Sequence, residues 1–162
     1  MELITNRTSL DVERWKALRD KGWAAMTTDE RREWLGEILP TPAATKGMYT
    51  HNDLNRVESA VEAILERFEE AGYKTPKLNI KTNWTYQDAF WRTDMERYYS
   101  NIAAIRDFLI VYPDTPKAPS LDKKIDFNVA NDIEKILSDV YEIVTNLTNS
   151  WYYTGEVFSG EV

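Results

Sequence analysis

The sequence predicts a mainly α fold: two short helices, then a bundle of three long amphipathic helices, with a long, partly extended connector within the bundle and an extended C-terminal tail. Three features lead there. Apolar residues recur at alternating steps of three and four over long stretches, helix start signals precede several of those stretches, and Pro or Gly closes them.

The first helix spans Leu10 to Lys21. Thr8 or Ser9 can cap it, Val12, Trp15 and Leu18 share one face, and Gly22 supplies a stop. The second opens on Thr27-Thr-Asp-Glu30, a capping box in which Thr27 takes the amide three residues on and Glu30 reaches back. It carries Trp34, Leu35 and Ile38 and ends before Pro40. Residues 1–39 therefore form an N-terminal subdomain. Residues 40–50 read as a linker, since neither Pro40 nor Pro42 can continue a helix.

Residues 51–151 hold the long helices. Leu54, Val57, Val61, Ile64 and Phe68 form a heptad-like seam that Gly72 closes after Ala71. A further capping box, Thr93-Asp-Met-Glu96, opens a helix with Met95, Tyr98, Ile102, Ile105 and Leu109 on one stripe, stopped by Pro113. The third carries Val129, Ile133, Ile136, Leu137, Val140, Val144, Leu147 and Trp151. Matching seams allow the three to bury one another as an antiparallel bundle.

Two segments exceed a minimal bundle. The 72–92 connection is far longer than usual between bundle helices, and its Lys77-Leu-Asn-Ile-Lys81 alternates like a strand. The tail, residues 152–162, follows Trp151 with Tyr152 and Tyr153 and repeats Gly-Glu-Val; it reads as extended. It either pairs with the 77–81 segment or a neighbouring chain, or packs on its own bundle through Trp151 and Tyr152.

The chain's 162 residues suit one domain of ordinary size, and 43% hydrophobic content with six Trp and nine Tyr marks a globular chain. The absence of Cys and the single His51 remove disulfides, thiolate nucleophiles, zinc fingers and two-imidazole dyads. His51 itself sits at a helix start beside Asn52 and Asp53, where surface polarity and capping account for it, and no EF-hand pattern surrounds it. No GxSxG, Walker A or GxGxxG motif occurs. The expectation is a protein without catalytic residues, metal or cofactor. A net charge of −7 argues against nucleic acid and anionic membrane as partners, and no apolar run approaches membrane-spanning length. The N-terminus has neither a basic start nor an apolar core, so synthesis in the cytoplasm is expected.

Charge is unevenly spread. The first long helix has Asp53, Glu58, Glu62, Glu66, Glu69 and Glu70 against Arg56 and Arg67, and the third has Asp126, Asp132, Glu134, Asp139 and Glu142 against Lys135. Both read as acidic on their outer faces. The connector, with Lys74, Lys77, Lys81 and Arg92 against Asp88, is a basic counterpart that can lie across an acidic helix, within the chain or between copies. Solvated surface charge is the plainer alternative. Aromatics crowd the same region: Trp84, Tyr86, Phe90, Trp91, Tyr98 and Tyr99. Exposed, such faces stack on sugars or protein partners; buried, Trp84, Phe90 and Trp91 tie the connector to the bundle, and Tyr98 joins the seam.

Several motifs are familiar. Ile4-Thr-Asn-Arg-Thr8, Asp11-Val, Lys16-Ala-Leu, Lys21-Gly, Met26-Thr and Glu33-Trp-Leu35 resemble tail proteins of bacteriophages and prophages of Gram-positive, chiefly clostridial, bacteria. So do Lys46-Gly-Met-Tyr-Thr-His-Asn-Asp-Leu-Asn-Arg-Val57, Asn83-Trp-Thr, Met95, Tyr98-Tyr99, Asn101 to Arg106, Ala130 to Leu137 and Phe158-Ser-Gly-Glu-Val162. The resemblance spans nearly the whole chain and brings no catalytic residues. It implies a virion structural protein of the tail, a baseplate or tail-fibre component present in several copies, whose partners are other tail proteins and copies of itself. Under that reading Lys74, Lys77, Lys81, Trp84 and Trp91 dock the connector, and Trp151, Tyr152, Tyr153, Phe158 and Val162 contact a neighbour. The competing reading is a host-surface module whose 84–99 aromatics stack on cell-wall saccharide.

Overall fold

The computed structural model describes residues 2–156, with side chains over 2–150. It is mainly helical: α1 (Ser9–Lys21), α2 (Thr28–Trp34), α3 (His51–Glu70), α4 (Arg92–Asp107) and α5 (Phe127–Glu156), with short 3-10 turns at Trp23–Ala25 and Ala44–Lys46. No β-strand forms among the described residues.

The N-terminal helices start where the capping residues place them. Thr8 and Asp11 close a capping box on α1, Thr27 and Glu30 another on α2. The end of α2 differs from expectation. It stops at Trp34 because Gly36 adopts φ 81° and the Glu37 N–H donates to the Arg32 carbonyl, a glycine-closed turn that ends the helix well short of Pro40. Leu35 and Leu39 are left in solvent, 62% and 66% exposed.

A small core of Leu18, Met26 and Ala44, flanked by Trp15 and Trp34, holds α1 and α2 together. The segment read as a linker enters this core. Ala43 and Ala44 are 0% and 1% exposed, and two buried carboxylates fasten them: Asp11 accepts the Ala43 N–H at 2.6 Å, Glu33 the Ala44 N–H at 3.2 Å. Gly47 then lies so close to α1 that a Cβ there would overlap the Asp11 carbonyl. The proline-bounded stretch is thus packed wall, held by carboxylates on helices before it in sequence.

The main core joins α3, α4 and α5 through the seam residues, among them Val57, Val61, Ile64, Phe68, Tyr98, Ile102, Ile105, Ile133, Ile136, Leu137, Val140 and Val144. The expected antiparallel arrangement does not form; the three helices point the same way. At their starts, the Tyr49 and Tyr98 hydroxyls meet at 2.6 Å, Arg56 bonds Glu134, and Tyr99 donates to the Lys123 carbonyl just before α5. At the other end Phe68 of α3 stacks on Phe108, immediately after α4, with centroids 4.5 Å apart. Parallel neighbours require the chain to return along the full length of the preceding helix, about 30 Å for a twenty-residue α3. That need explains the long connections. The first return runs back down α3: Tyr73 packs on Phe68, the Lys81 amide reaches Glu58, and Trp84 pairs with Asn55.

The start of α4 and the end of α5 also depart from expectation. α4 begins at Arg92, one residue before Thr93, its first turn closed by Asp94 accepting the Trp91 N–H at 3.0 Å. α5 begins after Asp126, which accepts the Val129 N–H, and it continues through Glu156. Residues 152–156 are therefore helical and not extended, and Gly155 does not interrupt the helix. The remainder of the expected extended tail, 157–162 with Phe158 and Val162, lies outside the described residues.

Candidate interaction sites

Two buried charge clusters organise the molecule, and both use acids that helical patterning assigns to outer faces. The first fastens the N-terminal arm. Residues 2–7 lie along α5, the Ile4 N–H donating to Glu134 at 2.6 Å and Asn131 exchanging hydrogen bonds with the Arg7 backbone. Arg7 then turns inward, where its Nη2 reaches Asp53 at 2.9 Å and Glu134 at 2.6 Å. Arg56 completes the group, bonding the same two carboxylates at 2.6 and 2.7 Å. Two guanidiniums face two carboxylates in this cluster. Burial acts against the Arg56 charge, but the Glu134 and Asp53 hydrogen bonds outweigh it and raise its pKa. Beside this cluster, burial pushes both Tyr49 and Tyr98 above the ordinary tyrosine range, so their bridging hydroxyls stay protonated.

The second cluster fastens the first return segment. Glu58, fully buried, accepts two bonds from Arg97 at 2.6 Å, one from the Lys81 amide and one from the Trp84 indole N–H. Asn55 pairs with both backbone polar groups of Trp84, and Asn79's carbonyl takes Arg97 and Asn101. Inside a protein such a shared acceptor is strong because every donor is satisfied together.

These contacts decide where the expected site residues stand. Trp84 is buried and Phe90 stacks on its edge, centroids 5.6 Å apart, so both tie the return segment to the helices. Trp91 does not: it is 68% exposed, as Tyr86 is 82% exposed. Lys81 pairs with Asp88 of its own segment and lies over the Trp84 ring at 3.7 Å, while Lys74 and Lys77 are exposed. The acidic-face reading is corrected for Asp53, Glu58, Glu134 and Asp139, all buried. Leu78 and Ile80 are partly buried against the main core and Lys77 and Asn79 exposed, so the strand-like alternation is real while the segment is not a strand. Trp151, Tyr152 and Tyr153 belong to the helical end of α5, and their side chains lie outside the described residues.

The sequence does contain a signal for the clusters that composition hides. Asp53 continues the Val57–Val61 stripe, and Glu134 the Ala130–Leu137 stripe; an acid on an apolar stripe needs a buried cation.

Three hollows stand out among the described residues. The largest, about 610 Å³, lies between arm residues 2–6, the Trp34–Lys46 stretch and the start of α3, and it opens under Leu35 and Leu39. A second of about 510 Å³ follows the arm's other side against Tyr141 and Thr145 of α5. A third, about 180 Å³, lies between Val12, Tyr49 and Phe127. Among the described residues, no three His, Asp or Glu are grouped to hold a metal ion, and no helix is long and apolar enough to cross a membrane. No protein-family model, no curated protein and no solved structure matches the chain.

Proposed function

We propose that this chain is a structural component of a bacteriophage tail, at the baseplate or the fibre attachment, made in the host cytoplasm and acting through contacts with other tail proteins and with copies of itself. The resemblance of its motifs is what names the particle. The observation that carries an assembly role is the shape of α5. Among the residues of α5 whose side chains are described, Val144 and Thr148 are the last buried ones, Asn149 and Ser150 are exposed, and the helix runs on to Glu156. The helical backbone thus runs about two turns beyond Thr148, in a sequence that holds Trp151, Tyr152 and Tyr153, the residue types that dominate protein interfaces. The buried carboxylates, meanwhile, are engaged in fastening the arm and the return segment.

Sedimentation and tail assembly test this reading together. The purified chain should sediment as a multimer, and removing residues 152–162 should yield a monomer that no longer enters tails. Strictly monomeric sedimentation with incorporation unaffected by that removal refutes it.

A second reading, a module binding host cell-wall saccharide, draws on Tyr86 and Trp91, both exposed near the start of α4. Binding on a glycan array that Tyr86→Ala and Trp91→Ala abolish would favour it.

A further inference from the structure

We infer that residues 8–47 form one rigid body that swings against the three long helices about a hinge of two adjacent chain crossings, one at Arg7–Thr8 and one at Gly47–Tyr49. The swing opens and closes the large hollow between the two parts, whatever the chain assembles with.

The N-terminal body is tied firmly within itself. α1, α2 and the Ala44–Lys46 turn share the Leu18–Met26–Ala44 core, Asp11 and Glu33 hold the Ala43 and Ala44 amides, and Arg14 grips Glu33 through two nitrogens. Gly47 lies directly against the Asp11 backbone. Toward the long helices the ties are sparse. Among the described residues, no hydrogen bond, ion pair or ring contact links residues 8–47 to residues 50–149, and the close helix pairings fall either within the N-terminal body or among α3, α4 and α5. The two hydrophobic cores are likewise separate. Units joined by so little surface move relative to one another by default.

The crossings run side by side. The Arg7 guanidinium carbon lies 5.7 Å from the centre of the Tyr49 ring, and Lys46 Nζ is 3.4 Å from Asn6 Oδ1. A carboxylate secures both strands at each end of the pair. On the N-terminal body Asp11 accepts the Thr8 N–H at 2.7 Å and the Ala43 N–H at 2.6 Å; on α3 Asp53 accepts Arg7 at 2.9 Å and the Thr50 N–H at 2.7 Å. Only a few backbone bonds per strand lie between these fixed points, and rotation about them leaves both bodies intact, as a hinge requires.

Room for the rotation adjoins both crossings. The hollow of about 610 Å³ separates the Trp34–Lys46 stretch from the arm and the start of α3, and the one of about 180 Å³ separates Val12 and Gly47 from Ile125, Phe127 and Ala130. A close-packed junction would hold neither. Closing the larger hollow brings Leu35 and Leu39, exposed on its rim, toward Leu3 and Met48, so the closed position gains apolar burial.

The test is pulsed electron resonance on spin-labelled full chain. The chain has no cysteine, so labels attach only where one is introduced. Lys16→Cys with Glu62→Cys reads across the hinge, Lys16→Cys with Asp29→Cys within the N-terminal body, and Glu62→Cys with Asn128→Cys within the bundle; all four positions are exposed. Dilution into excess unlabelled chain keeps the distances within one molecule. The distribution across the hinge should be at least about twofold wider than either of the others. Asn131→Ala removes the side chain that holds the Arg7 backbone and leaves no buried charge, so it should widen that distribution further while the other two stay as they are. A distance across the hinge as sharp as the other two overturns the inference. So does equal widening of all three with Asn131→Ala, which is loosening of the fold and not rotation about the crossings.

Discussion

Arg7 and Glu134 are 127 residues apart in sequence and 2.6 Å apart in the fold. This contact closes the chain on itself: the arm before α1 is fixed to α5, and through Asp53 and Arg56 to α3. One neutral cluster thereby joins the three parts of the molecule that sequence keeps farthest apart.

Removing one member of such a cluster leaves a buried charge without its counterpart. Arg7→Ala should therefore cost about 3 kcal/mol, whereas Arg92→Ala, which loses only the exposed Arg92–Glu96 pair, should cost under about 0.5 kcal/mol. Urea unfolding of the two variants measures the difference.

Glu58 should be equally sensitive. Glu58→Ala strands Arg97, the Trp84 indole and the Lys81 amide at once, and a loss of about 3 kcal/mol is expected, with protease cleavage appearing in the 71–91 return. Trp84→Ala should act in the same way, lowering stability, since its ring is buried beneath Lys81.

Gly47 is required for space. An added methyl meets the backbone of Asp11 and Val12, which cannot rotate aside as a side chain could, so Gly47→Ala should destabilise by about 1–3 kcal/mol. The thermal midpoint, compared with that of the parent chain, reads this directly.

Acid should loosen the N-terminal unit. Burial acts to raise the Asp11 pKa, but hydrogen bonds from the Ala43 amide and Thr8, with Lys46 nearby, bring it below the ordinary 3.8. Glu30, bonded by Lys21 and then by the Thr27 amide, is lowered from 4.5 to about 2. A carboxylate whose folded pKa is depressed stabilises fully above its unfolded value and loses that contribution as pH falls through the folded one. Thermal midpoints should accordingly fall from about pH 4.5 toward pH 2, and Asp11→Asn should flatten part of that dependence.

Local structure was far more legible in the sequence than direction or burial. Thr8, Thr27 and the Gly72 stop mark their helix ends because capping is set by a few adjacent residues. Helix direction depends on what the connections must span, and the length of 72–92 held that information: read as an excess segment, it is the return that a parallel neighbour demands. Glu58 and Glu134 were misread for a related reason. Amphipathic patterning sends acids outward, whereas their partners Arg97 and Arg7 come from distant parts of the chain. Extending α2 to Pro40 sets Leu35 among its apolar residues and hides the Gly36 turn that leaves Leu35 and Leu39 exposed.

The most direct measurement locates the chain itself. Antibodies against the purified protein, applied to phage tail particles from cells that make it and viewed by electron microscopy with gold labelling, should mark the distal tail at several copies per particle. Particles that carry no label and contain no peptide of this chain by mass spectrometry, while the protein accumulates free in those cells, would contradict a structural role in the tail.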